Sequence, residues 1–600
     1  MKRFKKRIYF FGAALLLCSF TINQLRAQPK NASLHQLFNA FYEEQCLFNP
    51  LQATADGYHQ FDDLLPNDGT LEFIQSKKNF YNKYLKALQK FDKEALNETE
   101  RISLDVLTYT LNMELEGLSL HLEYMPFNQF VANTPSDMAQ FGSGEGPQPF
   151  LTKQDYEKWS KRMVAFKDWA DTAITNFEKG VQTNTVLPKA LVVKMIPQME
   201  ALAEKDTSKN IFYQPLKMFP ETFSHADKEQ ITALYHQIIS TYLLPAYEEL
   251  ADYLKNRYVK VAQDKAGLFA LSEGNRLYDY FIRKYTTSKH LSAGAIYKIG
   301  LEEVARITAE MEAIKAKTKF TGTLADYFRF LRTDPRFTPF KTPEDVLSAY
   351  RSIYKKIQPH LNQLFEQQPQ TPFVIKRVAP FQEASQGGPF YVKGNLTENK
   401  PGVFYVPIPD AHKVNTVFYG MEATFIHEAI PGHHFQIALQ QEQKGLPLFR
   451  RQDAQYAFME GWALYCESLG EQLGCYTDSY QKMGALNNEI HRAIRLVVDV
   501  GIHTGKMTQE EAVRYMMKHE SISEAIAVAE IERYMAWPGQ ALSYKIGELT
   551  LKRLRKKYAE QLGTKFNIAH FHQAILSGGI MPLDVLENHL DQWVQNQTSH

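Results

Sequence analysis

The chain has 600 residues, 44% hydrophobic and 22% charged, a balance that excludes a disordered or fibrous protein and leaves length for several cores. Its formal charge of +1 comes without a basic stripe, which argues against nucleic acid as a partner. Cysteine is sparse: outside the first 27 residues only Cys46, Cys466 and Cys475 remain, an odd count with no C-x-x-C pair that argues against a disulfide scaffold and a cysteine-bound zinc.

The chain opens with the basic run MKRFKKR, followed by IYFFGAALLLCSFTI, an apolar run with the length of a signal-peptide core. LRA before Gln28 offers a small residue at a cut, although Leu25 is a poor residue three before it. Residues 1–27 are therefore predicted to be a secretory signal peptide removed at Ala27, and the protein to be periplasmic or secreted. The run is short for a membrane span, so no stable membrane insertion is expected after its removal. Leu17 stands before Cys18 where a lipobox carries a small residue, so a lipoprotein is not expected. Removal takes away six basic and no acidic residues, which moves the formal charge from +1 to −5. An oxidising compartment permits a Cys466–Cys475 bridge but does not require one.

From there the sequence predicts a mainly α protein, a large multi-helix fold. SLHQLFNAFYEEQCLF, SKKNFYNKYLKALQKF, DYEKWSKRMVAFKDWADTAITNF and EQITALYHQIISTYLLPAYEELADYLKNR all place apolar residues at three- and four-residue steps. No repeat of 20 to 50 residues is present, which disfavours a solenoid. Residues 207–220 and 319–324 read as loops. A division near residue 290 separates an N-terminal helical half (28–290) from a C-terminal catalytic half (291–600). No Gly/Ser- or Pro-rich tract joins them, so the halves are expected to pack tightly together rather than to be joined by a flexible linker. Between about Pro372 and Pro409, FVIKRVAPF, GGPFYVKGNL and GVFYVPIPD alternate β-branched and aromatic residues between Gly, Pro and Asn breaks. They predict two or three short strands just before the segment that carries the chemistry.

That segment is HEAIPGHH, His427 to His434, which resembles H-E-x-x-H with Pro431 where the second histidine belongs. At about 100° per residue, His434 falls about 20° from the face of His427 and His433 about 120° from it. Pro431 and Gly432 make an ideal helix untenable there, and a local distortion can bring either histidine to a metal. A catalytic zinc takes three protein ligands and keeps a position open. The third ligand is expected from AQYAFMEGWALYCESLGEQLG, apolar nearly all round, in which the buried carboxylate of Glu460 needs a partner. Glu467, seven residues on, lies on the same face and suits a partner that orients a ligating histidine. Glu428 is the expected general base, taking a proton from the attacking water and giving it to the leaving amine.

Two further clusters follow. In EIHRAIRLVVDVGIH, His491, Arg495, Asp499 and His503 form a polar stripe at four-residue steps. It reads either as an internal salt-bridge network or as support for the site, with Arg492 or Arg495 clamping a substrate carboxylate. In EIERYMAWPGQALSYKIG, Tyr534 and Tyr544 are candidate donors to a tetrahedral oxyanion, although core packing is the commoner role of a tyrosine in a chain with 32 of them.

HEAIPGHHFQ, FMEGWALYCESLG, RLVVDVGIH and IERYMAWPGQALSYKIG together resemble the DUF885 family of bacterial, often secreted, proteins of unknown function. The likeness runs over nearly the whole chain after the leader and is most specific from about Pro401 to Gly547. The family is distantly similar to the helical gluzincin zinc peptidases, the angiotensin-converting-enzyme-like and thimet-like group. That resemblance implies one Zn2+ per chain, a channel between two halves, and FYVPIPD as a sheet edge that holds a peptide substrate. It implies His427 and Glu460 as ligands, Glu428 as the base and Tyr534 as the transition-state tyrosine. Its Gly-His step favours His433 as the other ligand, where plain helical geometry favours His434. The reading is a zinc metallopeptidase, a hydrolase of short or unfolded peptides. Its rivals are a peptide-binding protein that has lost the chemistry and a zinc hydrolase of another amide, such as one in a cell-wall fragment.

Overall fold

The computed structural model describes residues 31–598 except 132, 381, 382, 384–386, 395–398 and 419. The predicted leader, with Cys18, lies outside the described residues. The protein is mainly helical, with one small sheet.

Helices form where the apolar steps predict them: α1 (Ala32–Phe48), α2 (Leu71–Leu88), α3 (Lys153–Gln182), α4 (His225–Ile238) and α5 (Leu244–Asn256). α3 opens on a capping box. The Thr152 hydroxyl accepts the Asp155 N–H at 3.3 Å, and the Asp155 carboxylate accepts the Thr152 N–H at 2.8 Å. A π turn, Ile239–Leu243, joins α4 to α5 just before Pro245, which has no N–H to give the preceding turn. Of the two expected loops, the first contains a 3₁₀ turn, Ile211–Lys217, and the second links α6 (Ala293–Lys317) to the helix Leu324–Thr333.

Buried side chains gather in three cores. One belongs to residues 127–258 alone. The largest joins residues 34–120 to residues 268–594 and so crosses position 290. The third packs α6 against the helices that follow the sheet.

The sheet has the order β1 (Phe373–Arg377), β3 (Gly402–Val406), β2 (Phe390–Val392). β1 runs parallel to β3, and β2 antiparallel to it. This corrects the expectation for FYVPIPD. Its strand residues are in β3, the central strand, paired on both sides, and the edges of the sheet are β1 and β2.

The sequence HEAIPGHH is not one distorted helix but two. α7 (Met421–Glu428) ends at Glu428, and α8 (His433–Glu442) begins at His433. Between them the chain folds back over the end of α7. A Cβ on Gly432 would lie 1.9 Å from the His427 carbonyl oxygen, so only glycine fits there. Trp462 Nε1 donates to the Pro431 carbonyl at 2.9 Å and fixes the turn from beneath.

Trp462 belongs to α9 (Tyr456–Glu467), which crosses α12 (Ser543–Leu562) at Gly461 and Gly547. A Cβ on Gly547 would lie 2.0 Å from the Ala457 carbonyl oxygen and 2.6 Å from the Gly461 Cα. The missing side chains let the two backbones touch, and Glu460 is set by that contact. Gly547→Ala is expected to cost about 1–3 kcal/mol through overpacking, read as a fall in melting temperature. Gly294→Ala, at a site with nothing within 4 Å, serves as the control and should not lower it.

Candidate metal centre

α7, α8 and α9 bring His427, His433 and Glu460 together, with one ligand atom from each lying within 4.8 Å of the others. Glu460 Oε2 lies 3.5 Å from His427 Nε2 and 3.4 Å from His433 Nε2. A tetrahedral zinc with bonds of about 2.1 Å holds its ligands about 3.4 Å apart, so the donor set fits such an ion in type, and both distances to Glu460 match its spacing. Glu467, two turns along α9, accepts from His427 Nδ1 at 2.7 Å. That bond puts the proton on Nδ1 and turns the Nε2 lone pair toward Glu460. The His427 side chain is 5% exposed, Glu460 15% and His433 11%, so the group is sealed behind His427 and reachable on the other side.

The electrostatics describe a site that demands positive charge. Burial opposes the charged form of His427, but hydrogen bonding to Glu460 and Glu467 outweighs it and raises its pKa to about 10. Burial alone would raise the pKa of Glu460, and the two histidines instead hold it well below the carboxylate range. A divalent ion satisfies the same demand.

Glu428 directly follows His427. Its Oε2 accepts the backbone N–H of Tyr391 at 3.0 Å, so the outer edge of β2 holds this carboxylate. Burial raises the Glu428 pKa, and Glu460 adds to that, while His427, His433 and Arg492 oppose it. The net upward shift is the direction a general base needs.

His434 stands apart from the three. Its Nδ1 lies 3.1 Å from the Tyr391 hydroxyl and its ring packs on Phe373, while burial lowers its pKa to about 4. Plain helical geometry pointed to His434, and that geometry fails because the chain leaves the helix between 429 and 432. It is the resemblance, with its Gly-His step, that points to the histidine found beside Glu460.

The polar stripe lies on α10 (Ser479–His503) and splits into two groups. Toward its C-terminal end, Asp499 accepts from the Tyr278 hydroxyl at 2.6 Å and from the Gly539 N–H at 3.2 Å. His503 lies between the Leu268 N–H, 3.2 Å from Nδ1, and the Tyr534 carbonyl, 3.0 Å from Nε2. These two residues tie α10 to neighbouring backbone. Nearer its N-terminal end, Arg495 donates to the Tyr534 hydroxyl (3.0 Å), Glu530 (3.2 Å) and His491 (3.1 Å). The Tyr534 hydroxyl itself donates to Glu530 at 2.6 Å. Tyr534 is on α11 (Glu524–Ala536). Tyr544, on α12, has its ring under the Arg495 guanidinium at 4.5 Å, and its pKa is raised by burial and by Glu460. Its hydroxyl makes no hydrogen bond among the described residues.

Sequence reasoning passed over Tyr391, Trp462 and Tyr456. GGPFYVKGN signalled a strand, but nothing local says that its backbone meets Glu428. Tyr456 stands one helical turn before Glu460 and lines a cavity of about 840 Å³, together with Lys284, Tyr285, His503 and Trp537. Cys466 and Cys475 are not bridged, and Cys466 Sγ contacts the Pro431 carbonyl at 3.5 Å.

A mainly helical fold that gathers two buried histidines and a partly buried glutamate from three helices defines a helical protein with a candidate His-His-Glu metal centre. The sequence profile of DUF885, a bacterial protein family of unknown function, matches residues 50–590, and the chain belongs to that family. A candidate lipoprotein from Colwellia psychrerythraea is 25% identical, with a TM-score of 0.85 over 95% of this chain and 100% of its own. A candidate lipoprotein of unknown function from Shewanella oneidensis is 18% identical, with a TM-score of 0.74 over 93% of this chain and 100% of its own. A candidate oligoendopeptidase F from Bacillus anthracis is 12% identical, with a TM-score of 0.29 over 86% of this chain and 96% of its own, too slight a likeness to argue from. No curated protein matches the sequence. No helix among the described residues is long and apolar enough to cross a membrane.

Burial raises the Asp499 pKa to about 7, against roughly 4 for an unfolded aspartate. Folding thus favours the protonated acid: the stabilisation is complete below about pH 4 and is lost as the pH rises through about 7. Asp499→Asn has no proton to lose, so its melting temperature should rise relative to wild type between about pH 4 and pH 8. A difference that stays constant over that range would remove Asp499 as the titrating group.

Proposed function

We propose that the protein is an extracytoplasmic metallopeptidase, with zinc held by His427, His433 and Glu460 and with Glu428 as the general base. The observation that carries this reading is the meeting of two imidazoles on one carboxylate oxygen, beside a buried carboxylate of raised pKa on the residue next to His427. The ion, when bound, supplies a Lewis acid for a peptide carbonyl and acidifies a water. Glu467 keeps His427 in the tautomer that presents Nε2. The Tyr391 N–H keeps the Glu428 carboxylate turned toward the site, where it takes a proton from the attacking water and returns it to the leaving amine. Tyr544 is the better placed of the two tyrosines to steady an oxyanion, because its hydroxyl is uncommitted and it lies under the influence of Glu460. Tyr534 commits its hydroxyl to Glu530 and positions Arg495. The cavity beyond Tyr456 offers room to short or unfolded peptides.

The location rests on the predicted leader and on relatives that are candidate lipoproteins. Those relatives leave the expectation against lipidation at Cys18 without support, and labelling with a radioactive fatty acid decides between a lipidated and a freely secreted form.

Elemental analysis of the purified protein tests the centre directly: about one zinc per chain is expected, lost on chelation together with activity. No metal after incubation with zinc would replace this reading with a peptide-binding protein. Glu428→Gln is expected to keep the metal and to lose turnover by on the order of 10²–10⁴-fold. His433→Ala and Glu460→Ala should lose the metal, while His434→Ala should keep it. Equal metal loss from the two histidine variants would reject the assignment of His433.

A further inference from the structure

Beside the candidate centre, two guanidiniums keep buried donors that no side chain among the described residues accepts. One oxygen of Glu530 serves Arg495 at 3.2 Å, Arg533 at 3.3 Å and the Tyr534 hydroxyl at 2.6 Å. Glu520, the other acid there, is held by His491 Nδ1 at 2.7 Å. Arg492 has no hydrogen bond or ion pair among the described residues, and its Nε is buried without an acceptor. Arg495, 5% exposed, likewise has a buried Nη1 without an acceptor. Both guanidiniums lie against the same ring, that of Tyr544, Arg495 at 4.5 Å and Arg492 at 5.8 Å. The charge of Arg492 also acts on Glu428, so the uncommitted cation is within electrostatic reach of the base. Buried donors without acceptors are rare in folded proteins, and two on adjacent guanidiniums call for an anion. The planar fork of a guanidinium matches a carboxylate.

We propose that Arg492, with Arg495 behind it, forms a carboxylate-binding subsite beside the metal centre, and that it takes the C-terminal carboxylate of a peptide. This rests on the peptidase reading and narrows it. A chain anchored there presents a bond near its C-terminus to Glu428, and the enzyme trims ends rather than cutting within long chains. The same chemistry could come from an aspartate or glutamate side chain of the substrate.

The test measures binding, in the zinc-loaded Glu428→Gln protein, so that no probe is consumed. Three sets of N-acetyl tetrapeptides of mixed sequence are used: free acids without Asp or Glu, the matching C-terminal amides, and amides carrying one Glu. Retention is read by equilibrium dialysis and mass spectrometry. Free acids should be retained at least about tenfold over plain amides, and that preference should collapse when Arg492→Gln is added. Arg492→Lys keeps the charge without the fork; it should give an intermediate preference and replaces Arg492→Gln if that variant does not fold. Retention of the Glu-bearing amides equal to that of the free acids, lost in the same variant, keeps the subsite and assigns it to a side chain. Equal retention of acids and amides, no retention of any set, or a preference that ignores Arg492 overturns the proposal. Wild-type turnover of the same peptides reports separately on the peptidase reading: hydrolysis without acid preference overturns only the subsite, and acid preference without hydrolysis overturns only the peptidase.

Discussion

Glu460 and Glu467 stand two turns apart on one buried helix and face the two nitrogens of a single imidazole, that of His427. Taking two carboxylates and an imidazole out of water is unfavourable by several kcal/mol per charge unless each finds a partner, and here they partner one another. The arrangement fixes α9 against α7, sets the tautomer of His427, and leaves Glu460 Oε2 shared with His433. Nearly everything else around the centre holds this clamp in register. The crossing at Gly461 and Gly547 sets the height of α9. Trp462 on the same helix holds the Pro431 carbonyl, and through it the turn that delivers His433.

The turn explains how a sequence that departs from H-E-x-x-H still gathers two histidines. In an uninterrupted helix, residues six apart point about 120° from each other. The chain gives up the helix after Glu428, doubles back through Pro431 and Gly432, and starts again at His433. The second histidine therefore comes from the first position of a new helix, and its direction is set by the turn rather than by helical phase. His434, one residue on, is left to pack against Phe373 and Tyr391. That contact draws β2 toward the site, and β2 in turn presents the N–H that holds Glu428.

The polar stripe on α10 does two jobs. Asp499 and His503 meet backbone groups and bind α10 to Gly539, Tyr534 and Leu268, a structural use of buried polarity in which every partner is named. Arg495 and Arg492, nearer the start of the helix, lie against Tyr544, and the charge of Arg492 acts on Glu428. Glu530 balances the first of them and not the second. A stripe that looks uniform at four-residue steps is divided by what packs against each end of the helix.

The sequence by itself determined the helical class, the strand segment, the buried setting of Glu460 and the pairing of Glu460 with Glu467 on one face. Each of these follows from local periodicity, which acts over a few residues of contiguous chain. It also marked Pro431 and Gly432 as the place where a helix must fail. Only the tertiary structure decided that the failure is a full break, that His433 rather than His434 lies beside Glu460, and that FYV of β3 is the middle of the sheet. The partner of Glu428 and the missing partner of Arg492 were likewise beyond the sequence. These outcomes depend on which backbone lies across the site, and the contacts that decide them join residues tens of positions apart. The clearest case is the N–H of Tyr391: every residue has one, no side-chain pattern marks it, and its place against Glu428 exists only once the sheet has packed on α7.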